Sequence, residues 1–249
     1  GIKNPADELA LFLDGSVSPS CPVAYSDDPA AVIETLPEEG SFSAEQILAL
    51  ADSSAAQGKT VFTSVAELAA STGELDTAVA LPIIAAEEKT VKFEGVTLAQ
   101  KNGVRGKLDD NETLGAKLLL NQFETGDKIT VPVEVDGNRA TVFITSACTK
   151  LDAEMADVLT VNAEIKLKMT VAENPYGIKP ALIEKAARQQ ISESCMTAYS
   201  AAVHENFCDI FGVKKLVRRY CPERYNDYCN AERSYLAGST LNLKVKSEM

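Results

Sequence analysis

The sequence predicts an α+β protein. Its C-terminal domain would pack an antiparallel or mixed sheet against one long helix, and a small, mostly helical domain would precede it. Three observations carry this. Ile183, Ala187, Ile191, Cys195, Ala198 and Ala202 recur at steps of three or four residues, the spacing of one buried face on a single helix. From Thr90 the period changes to two. Most clearly, Ala163, Ile165, Leu167, Met169 and Val171 alternate with Glu164, Lys166, Lys168 and Thr170, the pattern of a strand with one apolar and one wet face. Asn102-Gly103 and Asp136-Gly137 are hairpin turn pairs that join such strands as antiparallel neighbours.

Taken in order, residues 1–36 read as an incomplete unit. A short helix runs over Pro5 to Leu13, Val23 to Tyr25 form a short strand, and Pro29 starts a helix carrying Val32 and Ile33. These pieces cannot close a sheet by themselves. Pro37-Glu38-Glu39-Gly40 is a linker, and residues 37–86 form the small middle domain. Ser43 and Gln46 make a capping box ahead of Ile47, Leu48, Leu50 and Ala51. A second helix carries Phe62, Val65, Leu68 and Ala69 and stops at Gly73. Leu81 to Ile84 is a short extended run.

Residues 87–249 form the C-terminal domain. Val91, Phe93, Val96 and Leu98 are strand-like, with Gly95 at a bulge, and Val104 to Leu108 is the return strand. Asp110 or Asn111 caps a helix bearing Leu114, Leu118 and Leu119. Lys128 to Val135 pairs through Asp136-Gly137 with Arg139 to Thr149, whose Ala140, Val142, Ile144 and Ser146 share a face. Val158 to Val171 is the longest strand. Pro180 suits a first helical position, where its missing N–H would have no partner. The 25 residues from Leu182 to Asn206 would reach ~37 Å as one helix. Asp209 then caps a helix over Ile210 to Tyr220, a Pro-led helix spans Pro222 to Leu236, and a final strand alternates Leu241, Leu243 and Val245 with Asn242, Lys244 and Lys246.

This succession resembles the C-terminal domain of the Ger(x)C lipoproteins, the C subunits of GerA-type spore germinant receptors. The residues that carry it are the long helix Leu182 to Asn206, Asp209-Ile210-Phe211-Gly212, the Arg218-Arg219 pair, the Pro-led helix Pro222 to Leu236 and the strand Thr240 to Lys246. The likeness extends upstream to about Ser43. It implies that residues 1–36 are the remnant of a larger first domain. It also implies a secretion signal and a lipidated Cys upstream of Gly1, and two membrane-embedded partners, the A and B receptor subunits. The location it implies is the outer face of the spore inner membrane.

The net charge of −12 argues against a nucleic-acid partner, since phosphate contacts need clustered Lys and Arg. It argues likewise against docking on anionic lipid through the body of the protein. No apolar run approaches the ~18–20 residues of a membrane span. Six cysteines, at 21, 148, 195, 208, 221 and 229, form no C-x-x-C pair and suit no zinc module.

Signals for chemistry are few. His204, the one histidine, would have to serve any Ser-His or Cys-His arrangement, and its place on a helix suits a local contact better. No phosphate-binding Gly loop, nucleophile elbow or His-Glu-x-x-His pair is present, and no cofactor or metal is implied. Arg218 and Arg219 admit two readings: favourable charge at a helix C-terminus, or an electropositive patch facing a partner subunit or lipid headgroups. Tyr220, Tyr225 and Tyr228 follow closely, and Tyr with Arg is enriched at interfaces. The candidate partner contacts are therefore Arg218, Arg219, Tyr220, Tyr225 and Tyr228. The function expected is a non-enzymatic receptor subunit. The alternatives are an exported small-ligand-binding lipoprotein with its own pocket, and a hydrolase using acids alone.

Overall fold

The structure, a computed structural model, describes residues 18–35, 42–73, 78–87, 90–100 and 103–249. The helix expected over Pro5 to Leu13, the linker Pro37 to Gly40 and the turn residue Asn102 lie outside them. Helix α1 spans Pro29–Thr35, α2 Phe42–Ala56 and α3 Val65–Gly73. Ser43 falls inside the first turn of α2 rather than ahead of it. Phe62 precedes α3 and does not belong to it. The extended piece at Tyr25 enters as an isolated bridge. Its N–H donates to the Pro82 carbonyl and its carbonyl accepts from the Ile84 N–H, each at 2.8 Å.

Two sheets follow. Strands β1 (Val79–Glu87), β2 (Thr90–Gln100) and β3 (Gly103–Leu108) form a three-stranded antiparallel sheet. Pro82 faces Val96 and Ile84 faces Phe93, so Glu94 and Gly95 together oppose Ile83. Gly95 has φ +80°, and this is the bulge expected there. Helix α4 (Asp110–Leu119) comes next. Its cap is Asp109, one residue earlier than expected: the carboxylate accepts the Glu112 N–H while the Glu112 side chain accepts from the Asp109 N–H. The capping box is thus Asp109-x-x-Glu112, legible in the sequence.

Strands β4 (Ile129–Val135), β5 (Asn138–Met155), β6 (Leu159–Glu173) and β7 (Thr240–Glu248) form the second sheet in that order, antiparallel except for the parallel pair β6–β7. The turn between β4 and β5 puts Asp136 at φ 51° and Gly137 at φ 77°, the left-handed pair that a two-residue hairpin needs. The inner face of β6 is Leu159, Val161, Ala163, Ile165, Leu167 and Met169, all buried. Val171 is exposed near the strand's end. On β5 the buried set begins as Ala140, Val142 and Ile144, then shifts phase to Thr149, Ala153 and Met155. The cause is an extra residue at Thr145, between the Ile144–Met169 and Ser146–Lys168 pairs. Ser146, expected on the inner face, is therefore exposed.

Helix α5 (Pro180–Tyr199) covers the inner face of this sheet. Ile183, Ala187, Ile191, Cys195 and Ala198 are its buried stripe. It also crosses α4 so closely that a Cβ on Gly115 would run into the Ser194 carbonyl oxygen. The expected helix to Asn206 does continue, but as a π turn over Ser200–Glu205. The wider turn buries three consecutive residues, Ala201, Ala202 and Val203, which a 3.6-residue repeat would spread around the helix. Helix α6 (Val213–Tyr220), a 3-10 turn (Pro222–Arg224), α7 (Tyr225–Asn230) and α8 (Glu232–Ala237) lead to β7. The single Pro-led helix expected over Pro222 to Leu236 is broken into these last three pieces.

A candidate partner-contact surface

Asp209 sets up the surface. It is 2% exposed, and its Oδ1 and Oδ2 accept the N–H groups of Val213 and Lys214 at 2.7 and 2.9 Å. It does cap, but the helix starts at Val213, not Ile210. Ile210 and Phe211 are buried, with Phe211 stacked on Tyr199 at 5.7 Å, and Gly212 at φ 71° turns the chain into α6. Burial pushes the Asp209 carboxyl up from its ordinary value, and the backbone N–H bonds oppose that shift.

Val213 and Val217 then fasten one face of α6 to the core, leaving Lys215, Arg218, Arg219 and Tyr220 exposed. The Arg219 guanidinium lies 5.3 Å from the centre of the Tyr220 ring, and that of Arg218 5.9 Å from the ring of Tyr225, both within cation–π reach. Arg224 donates from Nε to Asp227 at 3.0 Å. The arginine pair occupies the last turn of α6 and faces solvent. Tyr228 is a correction. It is fully buried and stacks on Tyr235 at 6.0 Å, so it supports the surface from beneath and is not part of it. Four of the five expected contacts, Arg218, Arg219, Tyr220 and Tyr225, come together.

His204 has a structural task. Its Nε2 lies 3.0 Å from the Ser239 main-chain oxygen. The Ser239 hydroxyl gives its proton to the Leu236 carbonyl and meets the Tyr199 hydroxyl at 2.8 Å, so Tyr199 is the donor there. The imidazole therefore faces a main-chain carbonyl. The thiols of Cys195 and Cys208 are each pushed up to about 12 by burial, which disfavours the reactive thiolate. Among the described residues no group of His, Cys, Asp or Glu is placed to hold a metal.

Several clefts open among the described residues, including one of about 190 Å³ beside Asp209, Ile210 and Lys215. Another, of about 560 Å³, is lined by Asp52, Glu67, Glu124, Asp127, Lys117 and Phe62, among others. At its edge Lys117 and Asp127, 3% and 11% exposed, form an ion pair at 3.2 Å. This pair leaves no trace in the sequence pattern, because Lys117 shares a helix with Leu114 and Leu118. An apolar groove of about 240 Å³ runs between Cys21–Ala24 and α2.

The family described as spore germination B3/GerAC-like, C-terminal, matches residues 94–249. Among solved structures, the crystal structure of the GerBC protein is similar over 99% of this chain and 74% of its own, with a TM-score of 0.77 and 13% identity, a likeness of fold. No curated protein matches the chain.

Proposed function

The chain belongs to the spore germination B3/GerAC-like family, and from that membership we propose that it is the non-enzymatic C subunit of a nutrient germinant receptor. The observation that carries the reading is the family match from residue 94 to the last residue. In this reading the subunit is held by a lipid at the outer face of the spore inner membrane. It couples nutrient sensing to germination by contact with the membrane-embedded A and B subunits. The proposed division into residues 1–36, 37–86 and 87–249 places the whole Arg/Tyr surface in the third unit.

Arg218, Arg219, Tyr220 and Tyr225 are the proposed contacts, with Tyr228 beneath them. Exposed arginines beside tyrosine rings supply the planar donors and rigid apolar area that concentrate binding energy in protein interfaces. The test is capture of detergent-solubilised A and B subunits by the tagged chain. Arg218→Glu with Arg219→Glu should lower capture by about tenfold or more. Undiminished capture would remove this surface from the reading.

A second reading, a small-ligand-binding lipoprotein, draws on the 560 Å³ cleft. It calls for a thermal-shift screen against amino acids, sugars, nucleosides and bile salts. A true ligand at ~100 times its Kd adds about 2.7 kcal/mol, and its shift keeps rising with the logarithm of concentration.

A further inference from the structure

The outer face of the four-stranded sheet carries a charge arrangement that the packing does not need. Pairing of β5, β6 and β7 puts Lys150 beside Glu164 and Glu164 beside Lys244 in one row. The next row sets Cys148 beside Lys166 and Lys166 beside Lys246, and the row after it sets Ser146 beside Lys168 and Lys168 beside Glu248. Five lysines thus share a small grid, and two of them, Lys166 and Lys246, stand directly opposite each other. Like charges in that position weaken a sheet. Two carboxylates stand in these rows, Glu164 and Glu248, and the rows beyond add Asp152 beside Asn162 and Glu154 beside Thr160; the most central is Glu164. It lies 3.0 Å from Lys246 and 3.7 Å from Lys166. Its carboxyl is held below the usual range, chiefly by the bond from Lys246 and then by the field of Lys246, Lys166 and Lys244. The lysine side chains are open to water, 59% exposed for Lys166 and 48% for Lys246.

We propose that this face docks on the phosphate headgroups of an anionic bilayer. The chemistry of the face separates it from the arginine surface. Lysine is depleted in protein interfaces, where aromatic residues and arginine are enriched. Here five lysines share three rows with Ser146, Cys148 and the carboxylates Glu164 and Glu248, a local excess of three positive charges. The nearby Phe143 ring is covered by Lys128, whose Nζ lies 3.8 Å from the ring centre. A hydrated ammonium on a long flexible stem suits a fluid layer of phosphates better than a fixed protein surface. The rest of the charge is placed to help. Residues 87–249 hold 22 Lys and Arg against 23 Asp and Glu, whereas residues 1–86 hold two against thirteen. The acidity of the chain therefore sits mostly outside the docking domain. The proposal takes the presence of a bilayer from the receptor reading, but its test needs no receptor subunit.

The experiment is flotation of the chain with phosphatidylcholine vesicles made with and without phosphatidylglycerol, at low and at high salt. Binding should require phosphatidylglycerol and fall away in high salt. Lys166→Glu with Lys246→Glu should weaken it by about thirtyfold or more, since each lysine near an anionic leaflet adds about fivefold. Glu164→Gln should strengthen it, a gain that misfolding cannot imitate. Arg218→Glu with Arg219→Glu should leave most of it intact. Absence of binding to phosphatidylglycerol at low salt, or binding indifferent to the Lys166/Lys246 reversal, would overturn the proposal. So would salt-sensitive self-association in place of vesicle binding. Failure of subunit capture alongside normal flotation would count against the receptor reading alone.

Discussion

At the scale of single residues, Asp209 joins the most constraints. Its two oxygens hold the first amides of α6, so Asp209→Ala should leave buried donors unmet and cost about 2 kcal/mol or more, read as a lower urea midpoint. The pH dependence has a definite sign. Burial raises this carboxyl above its ordinary 3.8, so its contribution is greatest at low pH and declines as pH rises through the interval above that value. Asp209→Asn keeps an acceptor oxygen and removes the titration, so its stability curve should be flatter across that interval than the parent's. Tyr228 gives a contrasting case. Its hydroxyl is buried and finds no hydrogen-bond partner among the described residues. Tyr228→Phe should therefore be neutral or stabilising by up to about 1 kcal/mol and leave subunit capture unchanged. Tyr220→Ala, at a position 45% exposed, should weaken capture and hardly move the melting temperature. In the sequence Tyr220, Tyr225 and Tyr228 look alike, because the breaks at Cys221 and Ala231 that aim each ring leave no periodic trace.

Among the elements, legibility followed the length of unbroken pattern. The α5 stripe and the β6 alternation each hold their period for several repeats, and both lie where the sequence put them. The Asp136-Gly137 hairpin was equally plain, since its backbone demands left-handed residues. The phase of β5 was not legible, because one extra residue at Thr145 inverts every later position and nothing in the residue types marks it. The end of α5 was hidden for a similar reason: a π turn adds a residue to the repeat without changing composition. The crossing of α4 on α5 is the place to test the packing. Gly115 has no room for a side chain against the Ser194 carbonyl, so Gly115→Ala should force the helices apart and cost about 1–3 kcal/mol. A melting temperature within error of the parent would mean that the two helices do not meet there.

For the whole molecule, the net charge of −12 points away from membranes, yet charge acts locally over a screening length of about 8–10 Å. The parallel return of β7 beside β6 is what gathers lysines from residues 166 and 246 into one row, and no reading of either strand alone would do so. The molecule thus presents two surfaces of different chemistry: arginines set on tyrosine rings at the end of α6, and lysines in local excess over the carboxylates and small polar residues of the open sheet. If each answers to its own partner, their charge reversals should separate two activities. Arg218→Glu with Arg219→Glu should abolish most capture of detergent-solubilised subunits and preserve flotation with phosphatidylglycerol vesicles. Lys166→Glu with Lys246→Glu should do the reverse. Stability should change little in either, by about 1 kcal/mol for the arginines through their place at a helix C-terminus, and less for the exposed lysines. Should one reversal remove both activities while the fold survives, a single surface would be serving both, and the division between protein-facing arginine and lipid-facing lysine would have to be given up.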